Sequence, residues 1–338
     1  MRILVHEFVS GGGLAGRPVT PSLAREGSAM LRALVADLAA LGGHEIVATE
    51  DRRFPLRAGG GVQVVTIRTR ADRALDALID AAEAVWIVAP ETNRCLERLV
   101  RRVERKGKIV LGSSATAIGL AADKGGLARV MAPFGVRYPH SRVVRGGDSS
   151  ARAVKAIGYP AVVKPVRGAG CEGVRLVRDA AELQAAVAGG SMLLQRYVPG
   201  DAASVSLLTD GRRAVPLTIN AQVIRKARQF SYHGGWTPFD HPLAERAVDA
   251  AVRACHALPG LRGYVGVDLV LADAEPVVIE VNPRLTTAYL GARAALDTNV
   301  AALALEACIG SLPARPPARR AVRFAPSGRV VPLRDARS

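Results

Sequence analysis

The sequence predicts a mixed α/β (α+β) protein: an N-terminal βα domain joined to a two-lobed region of small helices, strands and hairpins. Three observations predict it. The first 113 residues alternate short apolar runs with helical stretches. From Ser113 that rhythm gives way to broken helices and strand pairs. The 338 residues, 49% of them apolar, can bury the cores of two or three units.

"RILVHEFV" is an apolar run ended by "SGGG". "PSLAREGSAMLRALVADLAALGG" sets Leu23, Met30, Leu31, Leu34, Leu38 and Leu41 at helical spacing, with Ser22 to cap it and Gly42-Gly43 to end it. The β-like runs "HEIVAT", "VQVVTI", "AVWIVAP" and "KIVLGS" follow, with helical stretches near 70–82 and 91–106 between them. Such alternation implies a mostly parallel sheet with covered faces over 1–113. Residues 114–190 read as two short helices broken at Asp123-Lys124, then a small β-rich unit with helices near 148–158 and 179–189. Residues 191–312 hold a strand pair turning at Asp210-Gly211, a loop over 226–241 and a helix over about 242–258. A hairpin over 264–282 and a helix over 298–309 complete that unit. Residues 313–338, rich in Pro and Arg, read as a poorly packed tail.

Charge and composition exclude several classes. The net charge of +16 invites nucleic acid, membranes or anionic ligands. Only six of the 46 basic residues are lysine, however, and this arginine skew matches GC-rich coding with a basic solvated surface. Aromatics make up 4%, too few for a base-stacking platform, so no specific nucleic acid partner is expected. No long apolar run suggests a membrane span or membrane partner. His6 and Glu7 inside the first apolar run are unlike a signal peptide, and the four scattered cysteines lack metal-ligand spacing. A reduced, cytoplasmic protein is the expectation.

Two of the lysines fall in patterned stretches. In "AVVKPVRGAGCEGV" a strand delivers Lys164 to a loop with Gly168, Gly170 and Gly173, where backbone N–H groups can turn toward phosphates. A hairpin with a glycine turn is the alternative. In "AADKGG" Lys124 begins a helix, a position that opposes the helix dipole unless an anion is held there. A solvated lysine beside Asp123 is the alternative.

The hairpin "GYVGVDLVLADAEPVVIEVNPR" is more informative. Val265, Val267, Leu269 and Leu271 share one face, and Asp268 points to the other. On the second arm Val277, Ile279 and Val281 share a face opposite Val278, Glu280 and Asn282. A five-residue turn pairs Leu271 with Val277 and therefore Asp268 with Glu280. Directly opposed like charges destabilise a hairpin. A divalent cation resolves this, with Asn282 as a third oxygen donor, and hard oxygen ligands suit Mg²⁺, or Mn²⁺ in its place. A solvated polar face screened by Arg284 is the alternative. In "LLQRYVPGD" Gln195 ends a strand whose backbone can meet an adenine edge, or it is a plain strand end.

In this order, Lys124, Lys164 with its glycine loop, the strand Gln195-Arg196-Tyr197-Val198 and the hairpin Asp268, Glu280, Asn282 resemble the ATP-grasp superfamily over roughly 113–310. The resemblance implies an ATP-grasp fold behind an N-terminal pre-ATP-grasp domain. It also implies a carboxylate–amine ligase in which ATP phosphorylates the carboxylate and the amine attacks the acyl phosphate. Lys124 and Lys164 would hold ATP phosphates, the glycine loop would close over them, and Arg284 would steady the phosphoryl oxygens. Arg196 stands where the family often has glutamate, so only its backbone is expected to meet adenine; Asp201 is the candidate for the ribose. In D-alanine–D-alanine ligases an arginine precedes the hairpin aspartate by two residues, where this chain has Gly266. Family members are often dimers.

A narrower resemblance rests on "HEFVSGGG", "PSLAREGSAM" and "NAQVIRKARQFSYHGGWTP". These look like the tyramine–glutamate ligase group of methanofuran biosynthesis, which joins the γ-carboxylate of glutamate to an aromatic amine, with tyrosine a conceivable replacement for tyramine. It implies that Glu7 and Gly11, Gly12 and Gly13 line the substrate side, and that Asn220 and Gln222 sit near the phosphates or donor. Lys226 would reach the γ-phosphate, and Tyr232, Gly234 and Gly235 would form a loop around the acceptor. By themselves "SGGG" can equally be a tight turn and Tyr232 a packed loop aromatic. Another amino-acid or dipeptide ligase and a non-catalytic nucleotide-binding regulator are the rivals. A dinucleotide oxidoreductase built on "GGGLAG" lacks a well-placed acidic ribose ligand.

Overall fold

The computed structural model describes residues 1–68, 71–145, 148–168, 170–187 and 191–333. The ends of three expected segments, residue 70 of one helix, 188–189 of another and 334–338 of the tail, lie outside them.

The N-terminal domain runs β1 (Arg2–Glu7), α1 (Pro21–Ala39), β2 (Glu45–Asp51), β3 (Val62–Ile67), α2 (Ala71–Ala81), β4 (Ala84–Val88), α3 (Cys95–Arg105), β5 (Ile109–Val110). Its parallel sheet has the order β3-β2-β1-β4-β5. Alternation in β1 sorts the layers: Ile3 and Val5 join the core containing α1, and Leu4 joins the core containing α2 and α3. Thr20 precedes α1 as its cap position and Pro21 opens the helix, so Ser22 lies within the first turn rather than capping it. The strand order reverses between β1 and β4, and a crevice opens there, at the carboxyl ends of the strands. Glu7 ends β1 and Glu91 follows β4 at that point.

Next come α4 (Ala115–Ala122) and the short α5 (Leu127–Met131), and Lys124 lies in the turn between them rather than at a helix start. A small lobe follows, with β6 (Ser141–Val144), α6 (Asp148–Ile157), β7 (Ala161–Pro165), β8 (Arg175–Val177), α7 (Ala180–Val187) and β9 (Met192–Arg196). Its sheet order is β6-β9-β7-β8, and it has its own core of Val144, Ile157, Val163, Leu183 and Leu194 among others.

The last unit is β10 (Asp201–Thr209), β11 (Ala214–Lys226), β12 (Phe230–Thr237), α8 (Ala244–His256), β13 (Gly263–Leu271), β14 (Pro276–Asn282), α9 (Ala288–Ala295), α10 (Val300–Ile309), β15 (Val322–Phe324) and β16 (Val330–Pro332). Its antiparallel sheet runs β14-β13-β10-β11-β12-β15-β16. One face packs on α8; the other joins α1, α9 and α10 in a core shared with the N-terminal domain.

Three expectations for this unit need correction. The stretch 226–241 is not a loop: β12 runs through it, paired with β11 and β15. Residues 322–332 of the tail are not loosely packed, because β15 and β16 extend the sheet and Phe324 is 1% exposed within the shared core. The hairpin turn spans four residues, 272–275, since Leu271 pairs with Pro276. A β-bulge then inserts Ile279 and restores the Asp268–Glu280 pairing. Beyond the bulge the expected faces hold, with Val281 in the core and Glu280 and Asn282 in a cleft; before it they are reversed, so that Val278 enters the core and Ile279 turns into the cleft.

Candidate active site

The three units meet around a cavity of about 280 Å³. Each wall comes from a different element. The hinge Gln195–Val198 and the lysine end of β7 form one side, β11, β13 and β14 form the floor, and the carboxyl ends of β1 and β4 form the far end.

Lys124 and Lys164 are 3% and 4% exposed. Lys124 Nζ lies 2.9 Å from Glu280 Oε1 and donates to the carbonyl of Gly168 at 2.6 Å, so the glycine loop is drawn over the cleft. The Phe230 N–H donates to Val174 O at 2.9 Å and ties the far end of that loop to β12. Burial, the largest influence, pushes the Lys164 ammonium down to about 8, against the opposing pull of Glu280. Its charge is costly there for want of water, and an anionic ligand would stabilise it.

Asp268 and Glu280 face each other across β13 and β14. Burial and then the charge of Glu280 push the Asp268 carboxyl up to about 6. Gln222 Nε2 and Asn282 Nδ2 donate to its two oxygens at 2.8 and 3.0 Å and partly offset that rise. Two crowded carboxylates and an amide oxygen fit a hard divalent cation that completes its shell with phosphate and water. Among the described residues no group of three or more His, Cys, Asp or Glu could hold a metal.

Arg284, two residues past Asn282, is clamped from the N-terminal domain. Its Nε and Nη2 donate to the two oxygens of Glu91, each at 2.9 Å, and Nη1 donates to Leu285 O at 3.0 Å. Burial disfavours the guanidinium charge, but Glu91 outweighs it and the net shift is upward. Glu7 accepts from the Val9 and Ser10 N–H groups and the Ser10 hydroxyl. Burial, only partly offset by those bonds, raises its carboxyl.

The structure brings Glu7, Lys124, Lys164, Gly168, Gly170, Gln195, Arg196, Tyr197, Val198, Gln222, Lys226, Tyr232, Asp268, Glu280, Asn282 and Arg284 to this cavity. Lys226 Nζ donates to Tyr197 Oη at 3.1 Å across its mouth. Burial raises the Tyr232 phenol well above its usual range.

Other expected residues lie elsewhere. Gly11, Gly12 and Gly13 form a packed turn behind β1, where the Gly11 and Gly13 N–H groups bond to Glu7 O and Phe8 O rather than facing the cavity. A Cβ on Gly12, whose φ is +94°, would meet the Ile67 side chain at 2.4 Å. Asn220 is fully buried in β11 and donates to Ser204 O, Ser204 Oγ and Ser206 Oγ. Asp201 sits 3.5 Å from His241 on the exposed side. Gly173 packs on Pro165. Gly234 and Gly235 are strand residues, not a loop: a Cβ on either would strike the carbonyl of Phe324 or Ala221.

Sequence reasoning missed Glu26, Thr287 and Ile279, which line the cavity, and Glu91, which reaches it only through Arg284. Glu91 follows the apolar run "AVWIVAP" directly, and an acid at the end of a central parallel strand was the available signal. Glu26 accepts a hydrogen bond from the Thr287 hydroxyl, which no local pattern announces.

Comparison with known proteins agrees with this architecture. An ATP-grasp domain is matched over residues 121–288 and a pre-ATP-grasp domain over 44–118. A tyramine–L-glutamate ligase of Methanocaldococcus jannaschii is 35% identical over 205 residues, 61% of this chain and 56% of the relative. Its counterpart in Methanocaldococcus fervens is 30% identical over 204 residues, 60% of this chain and 59% of the relative, so the chain spans under two thirds of the length of these enzymes. A D-alanine–D-alanine ligase of Desulforudis audaxviator is 29% identical over 284 residues, 71% of this chain and 91% of the relative. The crystal structure of an ATP-grasp superfamily protein from Archaeoglobus fulgidus superposes with a TM-score of 0.73 at 26% identity, over 96% of this chain and 92% of that one. Two adjoining domain matches, and a cavity ringed by lysines and hairpin acids, have one conclusion: this chain belongs to the ATP-grasp superfamily, with a pre-ATP-grasp domain before its ATP-grasp core.

Proposed function

We propose that this protein is an ATP- and Mg²⁺-dependent ligase that joins a carboxylate to an amine through an acyl phosphate, with release of ADP. The observation that carries the reading is the convergence of Lys124 and Lys164 on the Asp268–Glu280 pair beneath Gly168 in one buried cleft. Lys164 and the loop N–H groups bind phosphate oxygens, and the hinge backbone at Arg196–Val198 meets the adenine. Asp268, Glu280 and Asn282 would hold the metal, which supplies charge neutralisation between phosphates and the incoming carboxylate. Arg284 offers its remaining N–H groups to the transferred phosphoryl oxygens. The glycine loop excludes water, which would otherwise hydrolyse the acyl phosphate.

The substrates proposed are the γ-carboxylate of glutamate and an aromatic amine. Identity of 30–35% to tyramine–L-glutamate ligases supports this pair. So does the cavity lining, which includes Val9, Leu23, Met30 and Tyr232 together with Glu7 and Glu26. An apolar body carrying an ammonium suits that lining; a second carboxylate, as on tyrosine, does not. Tyramine is therefore preferred over tyrosine. A D-alanine–D-alanine type ligase is the second reading, favoured by similarity across 91% of one such enzyme. Against it stands Gly266, where a Cβ would already lie 2.7 Å from Thr286 Cγ2 and leave no room for an arginine.

The test is ADP release with Mg-ATP and L-glutamate, with tyramine, tyrosine or no amine, followed by mass analysis. Amine-dependent ADP with a glutamyl-amide product, lost in Lys164→Ala and Glu280→Ala, is expected. ADP release with D-alanine alone would favour the second reading.

A further inference from the structure

We propose that Glu91 is a positioning residue for this reaction: it fixes the Arg284 guanidinium toward the phosphoryl group and so makes the N-terminal domain a working part of the ATP cleft. The proposal builds on the reading of Arg284 given above.

Glu91 and Arg284 are 193 residues apart in sequence. One follows β4 at the strand-order reversal of the first domain; the other follows the metal hairpin of the last. The Glu91 carboxylate is 2% exposed, and among the described residues it accepts bonds only from Arg284. Both bonds fall on the Nε–Nη2 edge, and Leu285 O takes one Nη1 proton. Of the five N–H donors a guanidinium carries, two remain, one each on Nη1 and Nη2. A planar group gripped along one edge can present those two in a single direction.

Glu280, Glu26 and Asp268 also act on Arg284, and all three line the cavity. Without Glu91 the guanidinium would be drawn toward them, onto the metal-side acid or the substrate end. Glu91 therefore acts twice: it aims Arg284, and it keeps Arg284 from neutralising Glu280. A residue that served stability alone would satisfy neither need, and a neutral isostere could replace it without cost to the reaction.

Isosteric Glu91→Gln, the shortened Glu91→Asp and Arg284→Lys test this. Each variant is titrated with Mg-ADP, and with Mg-ADP plus aluminium fluoride as a mimic of the transferring phosphoryl group; melting temperature is recorded in parallel. The expected result for Glu91→Gln is affinity for Mg-ADP within about twofold of the parent, and affinity for the fluoride complex lower by about a hundredfold. Glu91→Asp should recover part of the loss. Glu91→Gln combined with Arg284→Lys should bind the fluoride complex no worse than Arg284→Lys alone, because the two act as one unit. With substrates, kcat falls and KM for ATP holds. Equal affinity of parent and Glu91→Gln for the fluoride complex would overturn the proposal. So would parallel losses for both ligands that track the melting temperature. If the parent enzyme ligates no carboxylate to any amine yet the fluoride complex still depends on Glu91, the ligase reading fails and the positioning role stands.

Discussion

At the scale of single residues, the cleft runs on groups whose charge is costly where it sits. Lys164 is the clearest. Its ammonium titrates near 8, so it is charged below that pH and neutral above it. ATP affinity of the free enzyme should accordingly fall as pH rises from about 8 to 10, approaching tenfold per unit, whereas an ordinary lysine would hold to about 10. Lys164→Arg, which stays charged, should flatten that slope. Fluorescence titration with a nucleotide analogue at fixed metal reads both. Asn220 and Gln222 make the opposite point. They are neighbours on β11 facing the same way, yet only Gln222 reaches the cleft. Asn220→Ala should cost about 1–3 kcal/mol of stability in urea unfolding, through loss of the buried amide donor to the Ser204 and Ser206 oxygens, with nucleotide affinity unchanged. The family resemblance put both near the phosphates or donor, and a resemblance does not say how far along the strand the cavity extends.

At the scale of elements, legibility follows the range of the interactions. The five parallel strands and the Asp268–Glu280 hairpin were readable because each announces itself within about ten residues, by period and turn chemistry; the small lobe was read as ending at 190, but its sheet takes in β9. The Asp268–Glu280 pairing was reached through a turn one residue too long, and the Ile279 bulge makes up the difference. Pairing sums cannot reveal two compensating irregularities. β12 and β15 were missed for another reason. Their residues are held by strands far away in sequence, and glycines that look like loop signals are there because neighbouring carbonyls leave no space for a Cβ. Phe324 measures that debt to distant partners: it packs against Gly235 and Gly291, whose Cβ positions its ring would occupy. Phe324→Ala should lower unfolding free energy by about 3–5 kcal/mol in denaturant titration, large for a residue in a stretch of Pro and Arg.

At the scale of the whole molecule, the cores do not follow the order of the chain. The largest holds Ile3, Val5 and α1 of the first domain together with Leu208, Leu217, Tyr264, Tyr289 and Phe324 of the last. Asp37 of α1 reinforces it, accepting from Tyr289 Oη at 2.5 Å and from Arg293 Nε at 2.8 Å, with its own carbonyl accepting from Asn299 at 2.7 Å. The small lobe, by contrast, keeps a separate core. Calorimetry should therefore resolve two transitions rather than three: one for the first and last units together, and one for the lobe of β6–β9. Mg-ATP analogues, which touch both, should move the two together.

The shared core also bears on how such enzymes can diversify. A pre-ATP-grasp domain looks like a cassette that could be exchanged for another to bring in new substrates. Here Asp37 and α1 are matched to Tyr289, Arg293 and α10, and a cassette from elsewhere would arrive with the wrong mating surface. Recombination between relatives would succeed only when the crossover carries α9 and α10 along with the first domain. If the proposed substrate end is right, new acceptor preferences are more accessible by point changes around Leu23, Glu26 and Met30 than by swapping domains.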